Sequence, residues 1–144
     1  MKRAYSPLVA CRRQRTVAVP YFGFTAAGIP KDITVYPNQI LQFPLNTIKG
    51  RLSDYFSLAV CGTSMTEAGI QDGDYILLRK AESPENGAIM LVRHEDKSTV
   101  KRIRINKGHI FLCWEDGSHR QIEVDSADYE VQGKFVNILR TAIK

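Results

Sequence analysis

The sequence predicts a mostly β protein: a single β-rich domain, either a sandwich or a partly closed barrel, behind a flexible N-terminal arm. Three observations carry this. From Tyr55 onwards, short apolar and β-branched runs recur at close spacing: Tyr55–Cys61, Tyr75–Arg79, Ala88–Arg93, Thr99–Ile105, His109–Trp114, Gln121–Val124 and Tyr129–Leu139. Between them stand turn-forming clusters such as Gln71-Asp72-Gly73-Asp74, Ser83-Pro84-Glu85-Asn86-Gly87, Glu95-Asp96-Lys97, Asn106-Lys107-Gly108 and Glu115-Asp116-Gly117. The charge is one-sided. Residues 1–27 hold Lys2, Arg3, Arg12, Arg13 and Arg15 and no acid, whereas residues 28–144 hold fifteen basic and fifteen acidic residues, so the whole net charge of +5 sits in the arm.

The 144 residues suffice for one core, and 44% hydrophobic with 24% charged residues is ordinary for a globular chain. Residues 1–16 are basic and aperiodic, a solvated tail or an arm that touches an acidic partner or nucleic acid. Thr16–Phe24 is apolar and partly β-branched, and is expected to lie extended against something. Ala26-Ala27-Gly28 is a small-residue step closed by Pro30, and Ile33–Tyr36 reads as a short strand. Ile40–Pro44 is another, which Pro44 keeps out of a sheet interior. Leu45–Lys49 allows one helical turn before Gly50, and Gly133 inside the last strand predicts a bulge or bend.

Cys11, Cys61 and Cys113 are odd in number and show no CxxC pairing, which argues for a reducing compartment and against a disulfide frame or zinc site. No apolar run is long enough to span a bilayer. The start superficially resembles a lipoprotein signal, but its apolar part is short, interrupted by Ser6-Pro7 and followed at once by Arg12-Arg13-Gln14-Arg15. Neither membrane attachment nor a cofactor is expected.

The chemistry is carried by two stretches. Leu58, Val60 and Gly62 alternate along a strand that ends where Ser64 begins, and Gly62 permits a sharp turn that leaves amide N–H groups near the hydroxyl. Alone this is an ordinary turn serine. Lys101 changes the reading, because strand alternation puts it on one face with Thr99, Ile103 and Ile105. A strand end, an edge or a snorkelling stem would explain a lysine there. A buried lysine instead loses charge stabilisation, and its neutral amine can take a proton from a serine hydroxyl. Other constellations are weaker. His94 and His109 adjoin turn signals and His119 follows Gly117-Ser118, so surface positions are expected for all three. Cys61 reads as a small core residue near a strand end, and Asp72 and Asp74 as turn residues rather than metal ligands.

At this point the chain resembles the LexA/UmuD family of self-cleaving serine–lysine peptidases. The carrying residues are Val60-Cys61-Gly62-Thr63-Ser64-Met65, Gly69-Ile70-Gln71-Asp72-Gly73-Asp74, Gly87-Ala88-Ile89, Thr99-Val100-Lys101-Arg102, and Val131-Gln132-Gly133 running on to Arg140. Their order, with 37 residues from serine to lysine, is specific where each piece alone is not. The resemblance covers roughly residues 20–144, and the length and layout look more like UmuD than LexA, since the residues before Gly28 are too few for a helix-turn-helix domain. Ala26-Ala27-Gly28, by contrast, is similar to the Ala-Gly cleavage site of LexA.

The resemblance implies Ser64 as nucleophile, Lys101 as general base, the backbone N–H groups of Thr63 and Ser64 as oxyanion donors, and Ala27–Gly28 as the scissile bond. It divides the chain into an arm, 1–27, removed by self-cleavage, and a peptidase domain, 28–144. It further implies a cytoplasmic homodimer of the SOS response to DNA damage. Cleavage would be stimulated by a RecA filament on single-stranded DNA, and the product would serve a translesion DNA polymerase. Two other outputs stay open: a non-catalytic dimeric adaptor of the same fold, and a truncated repressor relative that binds DNA through the basic arm.

Overall fold

Nine strands pair side by side in the order β2-β1-β3-β4-β9-β5-β6-β7-β8 among the described residues. They are β1 (Thr16–Phe24), β2 (Gln39–Pro44), β3 (Tyr55–Ala59), β4 (Tyr75–Lys80), β5 (Ile89–His94), β6 (Lys97–Asn106), β7 (His109–Cys113), β8 (Gln121–Val124) and β9 (Tyr129–Leu139). The computed structural model describes residues 15–24 and 39–140. The basic stretch before residue 15, the Ala27–Gly28 bond and the strand expected at Ile33–Tyr36 lie outside the described residues. The mostly β, single-domain architecture is borne out, as an open sheet with β2 and β8 at its ends. Pro44 sits on the outermost strand, where a missing amide costs nothing.

The pleat sorts apolar residues into three clusters. Phe56 and Leu58 of β3, Ile76 and Leu78 of β4, Leu91 of β5 and Val100 of β6 meet on one side with Val60, Met65 and Ile70. The alternate residues Tyr55 and Leu77 point the other way and join Val19, Phe43 and Leu139. Met90, Val92, Ile103, Leu112, Val124 and Val131 form the third cluster. The middle strands are thus buried on both sides, which is why β3 and β4 read as near-continuous apolar runs.

β1 is more than an extended tail. It pairs antiparallel with β2 and parallel with β3, and Val19 is fully buried. Ser57, a hydroxyl in the fully buried β3, is satisfied by donating to the Pro20 carbonyl at 2.7 Å. The folded unit therefore begins no later than Thr16, and the arm expected to end at residue 27 contains a sheet strand.

The irregularity expected at Gly133 is present beside it: β9 slips register against β5 between Leu91 and Val92, opposite Gly133 and Val131. The glycine itself has a packing cause. A Cβ there would lie 2.9 Å from Phe56 Cζ and 3.2 Å from the Arg79 carbonyl oxygen. Gly133→Ala is therefore expected to cost about 1–3 kcal/mol, read as a lower urea midpoint with unchanged slope.

Candidate active site

Two structural decisions bring Ser64 and Lys101 together. β3 stops at Ala59, earlier than the sequence suggests, and the chain leaves it through Val60, whose N–H donates to the Asp74 carbonyl and whose carbonyl accepts from Gly73. Gly62 then takes φ +111°, a conformation glycine adopts without a Cβ penalty, and its N–H donates to the Asp72 carboxylate at 2.8 Å. Ser64 emerges from this turn just before a 3-10 turn at Thr66–Ala68. Its carbonyl accepts from the Glu115 N–H at 2.7 Å, and the Glu115 carbonyl accepts from Glu67 N–H at 2.7 Å. The β7–β8 connection thus clamps the serine loop from both ends.

Lys101 stands mid-strand in β6, opposite Met90 of β5, and is only 5% exposed. None of the three surface explanations for a lysine on this face applies. Its Nζ lies 3.2 Å from Ser64 Oγ, and it also donates to Thr99 Oγ1 on the same strand face. The Trp114 ring lies with its centroid 4.7 Å from Nζ, where water would otherwise sit. Burial lowers the Lys101 pKa from 10.5 to about 8; the Arg120 guanidinium pushes the same way, and Asp116 opposes it. Arg120 is placed by stacking 4.1 Å over the same indole. The arrangement holds a weakly basic amine, a large share of it neutral near pH 8, within hydrogen-bond reach of a hydroxyl.

The Arg120 contribution is separately testable. Arg120→Ala is expected to raise the Lys101 midpoint, and Asp116→Asn to lower it, each by less than about one pH unit in an NMR titration of the amine. Equal midpoints in the two variants would remove both charges from the account.

Among the described residues the N–H groups of Thr63, Ser64 and Met65 make no hydrogen bond, while those of Gly62 before them and Thr66 after them do. The three histidines stand apart from the pair. His109 and His119 are exposed, His94 half-buried, and His109 bonds Glu123. Cys61 corrects an expectation: it is exposed rather than core, because the strand has already ended and the chain has turned outward. Asp72 and Asp74 occupy a turn as expected, with roles beyond it. Asp74 is 2% exposed and accepts from Arg140 Nε and Nη2 at 2.6 Å each, which ties the end of β9 to the serine loop.

Three contributors escaped the sequence reading. Trp114 lies against the lysine amine, and Arg120 stacks on the same indole. Glu115 is anchored by Arg102, whose Nε and Nη2 donate to its carboxylate at 2.9 and 2.8 Å. That pairing holds the Glu115 carboxyl below its usual range. The one available signal was Arg102 itself, beside Lys101 and so directed to the other side of the strand.

Comparison with known proteins supplies an independent line. The Peptidase S24-like family matches residues 20–136. Over 129 residues the chain is 36% identical to the LexA repressor of Thermosipho africanus, covering 90% of this chain and 65% of that one. For the LexA repressor of Thermosipho melanesiensis the identity is 33%, covering 90% and 64%. For that of Bifidobacterium adolescentis it is 36% over 123 residues, covering 85% and 46%. The chain thus spans just under two thirds, or less, of the length of these relatives.

Proposed function

Because this chain belongs to the Peptidase S24-like family, we propose that it is a serine endopeptidase that cuts its own Ala27–Gly28 bond with a Ser64–Lys101 dyad. The observation that carries this is the 3.2 Å approach of a buried, weakly basic amine to a serine hydroxyl. Neutral Lys101 takes the Ser64 proton as Oγ attacks the Ala27 carbonyl carbon. The negative charge that develops on the carbonyl oxygen is met by the N–H groups of Thr63 and Ser64. As the C–N bond breaks, the Lys101 ammonium returns the proton to the Gly28 nitrogen, leaving Ala27 as an ester on Ser64. A water then gives a proton to Lys101 and attacks the ester; as the C–Oγ bond breaks, the Lys101 ammonium returns that proton to Ser64 Oγ, and the freed Ala27 acid ionises to solvent.

We place this reaction in the SOS response, in a cytoplasmic homodimer whose cleavage is stimulated by a RecA filament on single-stranded DNA. The segment Leu45-Asn46 and Ile48 ahead of Tyr55-Phe56, which is similar to the corresponding UmuD segment, supports an accessory role toward a translesion polymerase. The names of the relatives, LexA repressors, support the competing output of a repressor-type switch. The experiment is mass spectrometry of the purified chain after incubation from neutral to alkaline pH, with and without the filament. Fragments 1–27 and 28–144 are expected. An intact chain under every condition would move the reading to a non-catalytic adaptor of the same fold.

A further inference from the structure

Cutting the chain between β1 and β2 does not by itself set β1 free. Residues 25–38, which contain the Ala27–Gly28 bond, are the covalent link between the two strands. β1 is not an edge strand that can peel away, since it lies between β2 and β3. Its residues Thr16 to Tyr21 pair with Pro44 to Gln39, and Tyr21 and Phe24 pair with Ser57 and Ala59. Among the described residues β2 has no other strand neighbour, so losing β1 would also detach β2 and expose Phe43.

The side chains tell the same story. Val19 is fully buried among Phe43, Tyr55, Leu77 and Leu139. Tyr21 meets Tyr75 edge-on with centroids 5.6 Å apart, and Phe22 meets Phe56 at 6.2 Å. The Pro20 carbonyl satisfies the buried Ser57 hydroxyl at 2.7 Å, and the Arg15 carbonyl accepts from Leu45 N–H at 2.8 Å. Removing β1 would orphan that hydroxyl and leave an apolar slot open to water.

We propose that the slot between β2 and β3 is a strand-binding site, occupied after the cut by this chain's own residues 16–24. The immediate product is then a nicked two-chain complex, and loss of the basic N-terminal segment is a second, separately controlled step. This rests on the reading of residues 25–38 as the segment that is cut, and it alters one expectation: cleavage alone does not discard the +5 charge of residues 1–27. The occupant is recognised as an added strand, through backbone pairing plus the buried Val19 and the half-buried rings of Tyr21 and Phe22.

The test is independent of self-cleavage. In the full chain carrying Ser64→Ala, a recognition site for a sequence-specific protease is placed within residues 25–38 and cut to completion. Native size-exclusion chromatography, with mass spectrometry of the peak, is expected to return both fragments together, separating only in denaturant. A labelled synthetic peptide of residues 15–24 should exchange into the cut protein saturably. The same peptide with Val19→Asp should bind more than about tenfold more weakly, because it would bury an unpaired carboxylate. An N-terminal fragment that elutes apart from a folded core, or peptides that bind equally, would overturn the proposal. Failure of the wild-type chain to cut itself would leave this result standing and would count only against the peptidase reading.

Discussion

With Ser64 replaced by alanine, the chain is expected to stay intact at every pH, with fragments 1–27 and 28–144 suppressed by about 10³-fold or more. Loss of a nucleophile removes the covalent route altogether, and what the remaining donors contribute over water is small by comparison. Lys101→Ala should suppress cleavage about as strongly, since the two groups act as one unit and their effects do not add. The Ser64 change should leave the fold untouched. Its hydroxyl is part-buried and bonded to Lys101, whereas the loop around it is held by the backbone bonds of Val60, Ser64 and Glu67. The decisive comparison is therefore cleavage rate by mass spectrometry beside urea stability. Lost cleavage at unchanged stability identifies the dyad, and cleavage that persists in the Ser64 variant overturns it.

The second large effect is that of pH. With the Lys101 amine titrating at about 8, roughly one molecule in ten is neutral at pH 7. The rate of unstimulated cleavage is therefore expected to rise close to tenfold per pH unit up to about 8 and then level off. A profile that is flat, or that rises on to the ordinary lysine value of 10.5, would contradict a desolvated base. Stability carries the matching signature. Because the folded-state pKa is lowered, the unfolded chain binds more protons between about 8 and 10.5, so this group's contribution to stability increases with pH across that window. Below it both states are protonated, and the buried ammonium is a constant penalty. Lys101→Met, which keeps the stem and removes the charge, is accordingly expected to stabilise the fold at neutral pH while abolishing cleavage.

Much of the β architecture was legible because its cause is local. From Tyr55 onwards, Gln121–Val124 and Tyr129–Leu139 are strands with the predicted ends, and the other five differ by one or two residues at an end. Alternation and turn residues are properties of adjacent positions, and both survive folding. Ser64 and Lys101 were legible for a different reason, since a glycine turn after a strand and a lysine on an apolar face are each local anomalies. Cys61 misled because its burial depended on where β3 stopped, and the bonds of Val60 to Gly73 and Asp74 ended that strand.

The sequence by itself determined the strand-rich class, the one-sided charge and the two residue types able to perform acyl transfer. Tertiary structure decided that they meet. Residues 37 positions apart reach hydrogen-bond distance only because β6 and the serine loop are both fastened to the β7–β8 connection, through Arg102, Glu115 and Trp114. It also decided that β1 lies inside the sheet rather than beside it. Both outcomes depend on pairing between distant segments, whose stability comes from the surface each buries against the other, a quantity that no stretch of neighbouring residues contains.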